Sequence, residues 1–275
     1  MKADLHMHST ASDGQYVPAE VIKLAKQAGV EVVALTDHDT VAGVPEAVET
    51  GKRLGISVLS GVEFSAAEYP NLHILGYGVD IKNQALQTLC ASMQKSREDH
   101  NEYIVSFLHG HGVPIDLEEV KDLAGRSAVG RPHFAQVMVR HGWVKTSREA
   151  FDKYLDTSEY LKVERKKFPA QECIAAILAS GGKPVMAHPY QLRLEDGLLE
   201  EEVKRLCLYG LVGLECYYPK HTVGQQALYL NLAGKYGLYV TAGSDFHGEQ
   251  IHPSDRIRPV ELDCSWLWED KGETQ

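Results

Sequence analysis

An α/β barrel is the fold class this chain predicts, and three observations predict it. Short apolar runs alternate with amphipathic stretches along most of the sequence. Histidines and carboxylates that can ligate metals sit at the ends of those runs instead of gathering in one loop. A chain of 275 residues, 44% of them hydrophobic, can bury one large core, and α/β barrels often run this long as a single unit. Repeated strand–helix units with chemistry at the strand ends are the pattern of such a barrel.

Taken in order, Ala3–His8 reads as the first strand. A helix over Pro18–Ala28 follows, with Pro18 in its first turn and Gly29 as its stop, and Val21, Leu24, Ala25 and Ala28 form its apolar stripe. Val32–Thr36 is a buried-strand run, and a helix over Pro45–Leu54 stops at Gly55. The remaining strands are Ile56–Val62, Leu72–Gly76, Pro184–Ala187, Leu211–Cys216 and Leu238–Ala242, which makes seven. Helices are expected over Ala170–Ala179, Leu198–Tyr209 and Gly224–Tyr236. The alternation fails between Ser96 and Lys167, a charged stretch with helical segments at Glu118–Leu123, Pro132–Arg140 and Ser147–Leu155. The expected organisation is therefore a discontinuous barrel, 1–95 and 168–275, with a helical insertion at 96–167 that covers the active face.

Composition excludes several classes. No apolar run is long enough to cross a membrane. The first residues enter a strand without a signal-peptide profile. Five cysteines with no CxxC pair read as reduced thiols of a cytoplasmic protein. A formal net charge of −10 argues against a broad basic surface tracking nucleic acid. No protein partner is legible. The P-loop pattern, the GxSxG elbow and the dinucleotide fingerprint are all absent, and Gly181-Gly182-Lys183 reads as a helix stop.

The chemistry lies in the strand-end motifs. In DLHMHS, alternation puts Asp4, His6 and His8 on one face, with the two histidines roughly 6.5–7 Å apart at Cα. Two imidazoles so spaced can converge on one ion, although two hydrogen-bonded histidines inside a barrel would also fit. Asp13 follows in a polar turn and by itself would pass for a turn residue. Glu63 ends the apolar run Val58–Val62, where a carboxylate is costly unless paired or metal-bound, and its two oxygens suit a bridge between ions. His38 in TDHD, His73 in NLHILG, His188 in MAHP, and Asp245 with His247 in GSDFH complete nine candidate ligands. Their spread over six of the seven strands is the strong signal, and it points to a hydrolase built on several metal ions. Asp4, Asp37 and Asp39 are candidates for orienting ligating imidazoles, with a turn cap as the alternative for Asp39.

This set resembles the PHP family, named for polymerase and histidinol phosphatase domains. DLHMHST, SDG, TDHDT, GVEFS, LHILGY, AHP and GSDFH follow that family's motif order through both halves of the chain. The resemblance implies a distorted, seven-stranded, TIM-like βα barrel holding two to three divalent ions, manganese first, with iron or zinc as other occupants. It groups His6, His8, Glu63 and Asp245 as one ligand set, Glu63, His73 and His188 as a second, and Asp13, His38 and His247 as a third. Asp13, Glu63, His188 and Asp245 are the ligands expected to take part in catalysis. The segment TASDGQYVP is similar to the branch holding 3′,5′-nucleoside bisphosphate phosphatases and 5′-to-3′ exonucleases of the ribonuclease AM kind.

Three carboxylates against three divalent ions leave a site of roughly +3, enough to draw in phosphate despite the acidic chain. Hydroxide from water activated at such a site is the expected nucleophile. For substrate contacts, Gly130-Arg131-Pro132-His133 opens a helix in the insertion. There Arg131 suits a phosphate fork, and His133 suits a phosphate contact or a leaving-group proton. Lys220 and His221 follow a strand end and face the mouth in this reading. The expected substrate is a nucleotide, a nucleoside bisphosphate or the end of a short RNA. A histidinol-phosphatase-like activity, an amidohydrolase acting on C–N bonds, and a regulatory module that keeps metals for stability are the alternatives.

Overall fold

In the computed structural model, the residues described are 1–125, 129–162 and 165–268. They fall into two compact units, Met1–Ala91 with Phe168–Gln275, and Ser92–Lys167.

The first unit is built on one eight-stranded sheet: β1 (Lys2–Met7), β2 (Val32–Leu35), β3 (Ser57–Ser65), β4 (His73–Tyr77), β5 (Lys183–Met186), β6 (Gly213–Tyr217), β7 (Tyr239–Ala242) and β8 (Val260–Glu261). The order across it is β7-β6-β5-β4-β3-β2-β1-β8. The sheet curls until the segment after β7 meets β1: His8 N donates to Phe246 O and Asp245 N to His6 O, at 3.0 and 2.9 Å. Two expectations need correction. An eighth strand exists, a two-residue one that pairs antiparallel with the start of β1 and is too short to give a periodic signal. And β4 is antiparallel to both β3 and β5, so no helix separates it from β3 and the strand–helix alternation is broken there.

The helices α1 (Pro18–Gln27), α2 (Val44–Leu54), α7 (Ala170–Ala179), α8 (Asp196–Tyr209) and α9 (Val223–Tyr236) belong to this unit. α1 starts on Pro18, whose missing N–H costs nothing in a first turn. α2 stops where Gly55 takes φ 63°, a left-handed value that glycine adopts without strain. Val21, Ile22 and Ala25 of α1 and Ala47 of α2 pack with Val33, Leu35 and Phe246 in one cluster. A second cluster joins Leu5, Ala34, Leu59, Leu75, Tyr77 and Val185 with Trp266 and Leu267.

The chain enters the second unit along α3 (Gln84–Gly110), and α4 (Leu117–Ala124), α5 (Arg131–Arg140) and α6 (Ser147–Ala150) follow. This unit has its own core, centred on Ile104, Leu108, Phe134, Met138, Leu155 and Tyr160. The basic run Lys162–Lys167 includes residues 163 and 164, which lie outside the described residues. No helix among the described residues is long and apolar enough to cross a membrane.

Candidate metal centre

One rim of the barrel collects the imidazoles and carboxylates. Strand direction explains how. His6 is on β1 and His8 just past it; His38 follows β2, Glu63 lies near the end of β3, His188 follows β5, and Asp245 and His247 follow β7. His73 breaks the rule, since it opens β4 instead of ending it. Because β4 runs antiparallel, its first residue pairs with Ser65 at the end of β3 and so reaches the same rim.

Glu63 is fully buried and organises the group. Its Oε2 lies 3.3 Å from His6 Nε2, 3.2 Å from His8 Nε2 and 3.0 Å from His38 Nδ1. Its Oε1 lies 2.9 Å from His73 Nδ1 and 3.0 Å from His188 Nε2. The two oxygens thus face two different sets of imidazoles. Asp245 Oδ1 sits 3.4 Å from His6 Nε2 and 3.1 Å from His8 Nε2. Asp13, 40% exposed, reaches His247 Nε2 at 3.4 Å, His8 Nδ1 at 3.7 Å and His38 Nε2 at 3.8 Å.

Candidate donor atoms within 4.8 Å of one another form the groups His6, His8, Glu63 and Asp245; His8, Asp13, His38 and His247; and His38, Glu63 and His73. Set against the grouping drawn from the sequence, His8 and His38 each face a second group, and His188 meets Glu63 from the far side. His252 is exposed, and together with Asp255 it lies beside His247.

The electrostatics follow from crowding. Burial alone would raise the Glu63 carboxyl, but the imidazoles of His38, His6 and His73 outweigh it and hold Glu63 well below the usual range. Burial likewise pushes His38 down, yet Glu63 and Asp13 carry it up to about 9. At His73 burial wins, bringing it to about 4 and favouring the neutral ring that a metal ligand requires.

The fit to metal is visible in what stays unsatisfied. His6 Nε2, both nitrogens of His8, His38 Nδ1 and Glu63 Oε2 are buried without a hydrogen-bond partner. Leaving such an atom unpaired costs about 1–3 kcal/mol, so five in one place is a large penalty. Divalent ions would satisfy all of them, and a set of imidazole and carboxylate with no thiolate suits manganese, iron or zinc.

Two residues that the sequence reading passed over help to build the rim. Glu215 on β6 is fully buried; its Oε1 lies 3.1 Å from His6 Nδ1 and its Oε2 accepts from His188 N at 2.7 Å. The available signal was a lone carboxylate inside the apolar strand Leu211–Cys216. Tyr218, 3% exposed, donates to Asp245 Oδ2 at 3.0 Å. The three aspartates expected to orient imidazoles bond mainly elsewhere. Asp37 accepts from Ser9 N, Ser9 Oγ and Ser12 Oγ, pinning the turn that carries Asp13. Asp4 accepts from Ser244 N and Asp39 from Ser65 N. Backbone conformation is unusual at this rim, with positive φ at Asp39 (57°), His188 (25°) and Asp245 (54°), values sterically costly for a side-chain-bearing residue.

The candidate substrate groups separate. Lys220 is exposed, with Nζ 5.9 Å from the centroid of the Tyr218 ring. His221 is buried among Tyr190, Tyr218 and Tyr229, its Nδ1 donating to Cys216 O at 2.9 Å and its Nε2 unpaired. In the second unit, Arg131 is 41% exposed and bonds Asp156 Oδ1 at 2.8 Å and Leu155 O at 3.1 Å. His133 Nδ1 accepts from Gly130 N at 3.1 Å, closing the first turn of α5.

Comparison with known proteins agrees with this geometry. The sequence profile of the PHP domain matches residues 4–165. The chain is 34% identical to a phosphoribosyl 1,2-cyclic phosphate 1,2-diphosphodiesterase of Eggerthella lenta, over 90% of this chain and 95% of that one. It is 34% identical to a 5′-3′ exoribonuclease of Haemophilus influenzae, over 94% and 97%. It is 30% identical to a 3′,5′-nucleoside bisphosphate phosphatase of Chromobacterium violaceum, over 97% and 95%. Among solved structures, an amidohydrolase from Chromobacterium violaceum with bound sulfate and no metal superposes with a TM-score of 0.81 at 29% identity, over 95% of this chain and 92% of that one.

Proposed function

Since the chain belongs to the PHP domain family, we propose that it is a metal-dependent phosphoesterase acting on nucleotides. Its preferred substrates are the 3′-phosphate of nucleoside 3′,5′-bisphosphates or the 5′ end of short RNA. The observation that carries this reading is the buried group around Glu63, whose unpaired nitrogens and carboxylate oxygen call for several cations in one place. When bound, divalent ions supply Lewis acidity toward a phosphoryl group and a nucleophile from water at neutral pH. His6, His8, Glu63 and Asp245 would hold one ion, Glu63, His73 and His188 a second, and Asp13, His38 and His247 a third. Three relatives named for phosphoester cleavage, each matched over nearly its whole length, support phosphate over a C–N bond.

The chain's own residues divide the remaining work. Glu63 faces imidazoles with both oxygens and so would help hold more than one ion. Glu215 faces His6 Nδ1, which keeps that proton on Nδ1 and leaves Nε2 free as a ligand. Lys220 and Arg131 are the cations we assign to substrate phosphate, Arg131 by exchanging its Asp156 partner for a phosphate that is bound but not cleaved. His133 and His221 are assigned to the nucleotide body. Five unpaired cysteines suit a reducing compartment, and we place the protein in the cytoplasm.

The test is a hydrolysis screen with added manganese, read as inorganic phosphate from mononucleotides, 3′,5′-bisphosphates and histidinol phosphate, as released mononucleotide from 5′-phosphorylated short RNA, and as ring-opened monoester from a ribose cyclic phosphate. Turnover of bisphosphate or RNA above the rest is expected. Hydrolysis of N-acyl substrates with no phosphoester cleaved in any of these would overturn the reading.

A further inference from the structure

We propose that Tyr218 is a positioning residue for the metal centre, its hydroxyl tying down one oxygen of Asp245 so that the other oxygen faces His6 and His8. The inference rests on the reading of those side chains as metal ligands. A carboxylate can offer a cation one oxygen or both, and which it does depends on what occupies the second. Here the division is plain. Asp245 Oδ1 lies 3.4 and 3.1 Å from the Nε2 atoms of His6 and His8, whereas Oδ2 accepts from Tyr218 Oη at 3.0 Å.

The hydroxyl can do this because the ring cannot move. Tyr218 is 3% exposed and packs edge-on to His188, with centroids 5.8 Å apart, and against Tyr190 and His221 at 5.4 and 5.2 Å. The backbone of Asp245 is equally fixed: its N–H donates to His6 O at 2.9 Å and its carbonyl meets His247 Nδ1 at 2.9 Å. What remains free is rotation of the carboxylate itself, and the phenol removes it. Tyr218 also touches the ring of a second candidate ligand, His188, so it braces the rim on two strands. Outer partners of this kind typically govern metal affinity by about 10- to 100-fold.

The experiment is a double-mutant cycle read by metal binding. Wild-type protein, Tyr218→Phe, Asp245→Asn and the double variant are stripped with chelator and titrated with manganese by calorimetry. Phenylalanine keeps the ring and its packing and removes only the hydroxyl. Tyr218→Phe should weaken one manganese site about 10- to 100-fold. In the Asp245→Asn background the same change should add little, because the two residues act as one unit. An unaltered isotherm for Tyr218→Phe, or an equal loss in both backgrounds, would overturn the proposal. Because the readout is metal binding, a chain that cleaved no phosphoester would defeat the proposed function and leave this inference to stand or fall alone.

Discussion

At the scale of residues, Glu63 and Asp13 make the sharpest contrast. Glu63 is fully buried and within 3.3 Å of five histidines, so Glu63→Gln should lower metal content and, with it, kcat/KM by about 100-fold, the upper end of the effect of a mere outer partner. Metal analysis beside phosphate release checks this, and retention of full metal content would contradict it. Asp13 is 40% exposed on a turn, so Asp13→Ala should cut activity while shifting the thermal midpoint little. Wild-type turnover in that variant would remove Asp13 from the active set. Arg131→Ala should lose most of any preference for bisphosphate over monophosphate, roughly 10- to 150-fold in kcat/KM for one charged contact of about 1.5–3 kcal/mol. An equal fall on every substrate would mean that its bond to Asp156 matters for folding instead. The residues that gather at the rim were legible because histidine and carboxylate at apolar strand ends have few other uses. Glu215 was not, because a single carboxylate within a strand shows its partners only when β1 and β5 arrive beside it.

At the scale of elements, the close approach of the segment after β7 to β1 closes the barrel and sets the metal rim. Gly243 makes it possible: a Cβ there would collide with His6 Cβ and Glu215 Oε1. Gly243→Ala should therefore destabilise the fold by about 1–3 kcal/mol and disturb both residues. Thermal unfolding and manganese affinity measured together check it, and a variant equal to wild type in both would show that the rim is plastic. The boundaries of the helices read from the sequence were right within a residue or two, since Pro18, Gly29 and Gly55 punctuate them chemically, whereas the 27-residue α3 was not read at all. The direction of β4 was not. An apolar run of five residues carries the same periodicity whether it runs parallel or antiparallel, and only its pairing with β3 and β5 decides.

At the scale of the whole molecule, a chain of net charge −10 must attract anionic substrates locally, so metal loading should govern both activity and stability. Ions that bind only the folded chain stabilise it by about 2.7 kcal/mol at a hundredfold excess over Kd. For a chain of this size, that is a rise in thermal midpoint on the order of 5–10 °C. Thermal melts across a manganese series, with a chelated control, measure it directly. A midpoint indifferent to manganese would contradict a centre whose five buried atoms without hydrogen-bond partners are satisfied by ions.

The sequence by itself determined the α/β class, the nine histidines and carboxylates at strand ends, and the family whose motif order they follow. These are local properties: apolar periodicity, punctuation by proline and glycine, and ligand chemistry that needs no neighbour to be recognised. Only the tertiary structure decided that β4 turns back and brings His73 to the common rim, that Glu63 divides its two oxygens between two groups of imidazoles, and that Glu215 and Tyr218 stand behind His6 and Asp245. Those facts depend on residues far apart in the chain meeting within hydrogen-bond distance. Strand pairing and barrel closure set such meetings, and no stretch of sequence carries them alone.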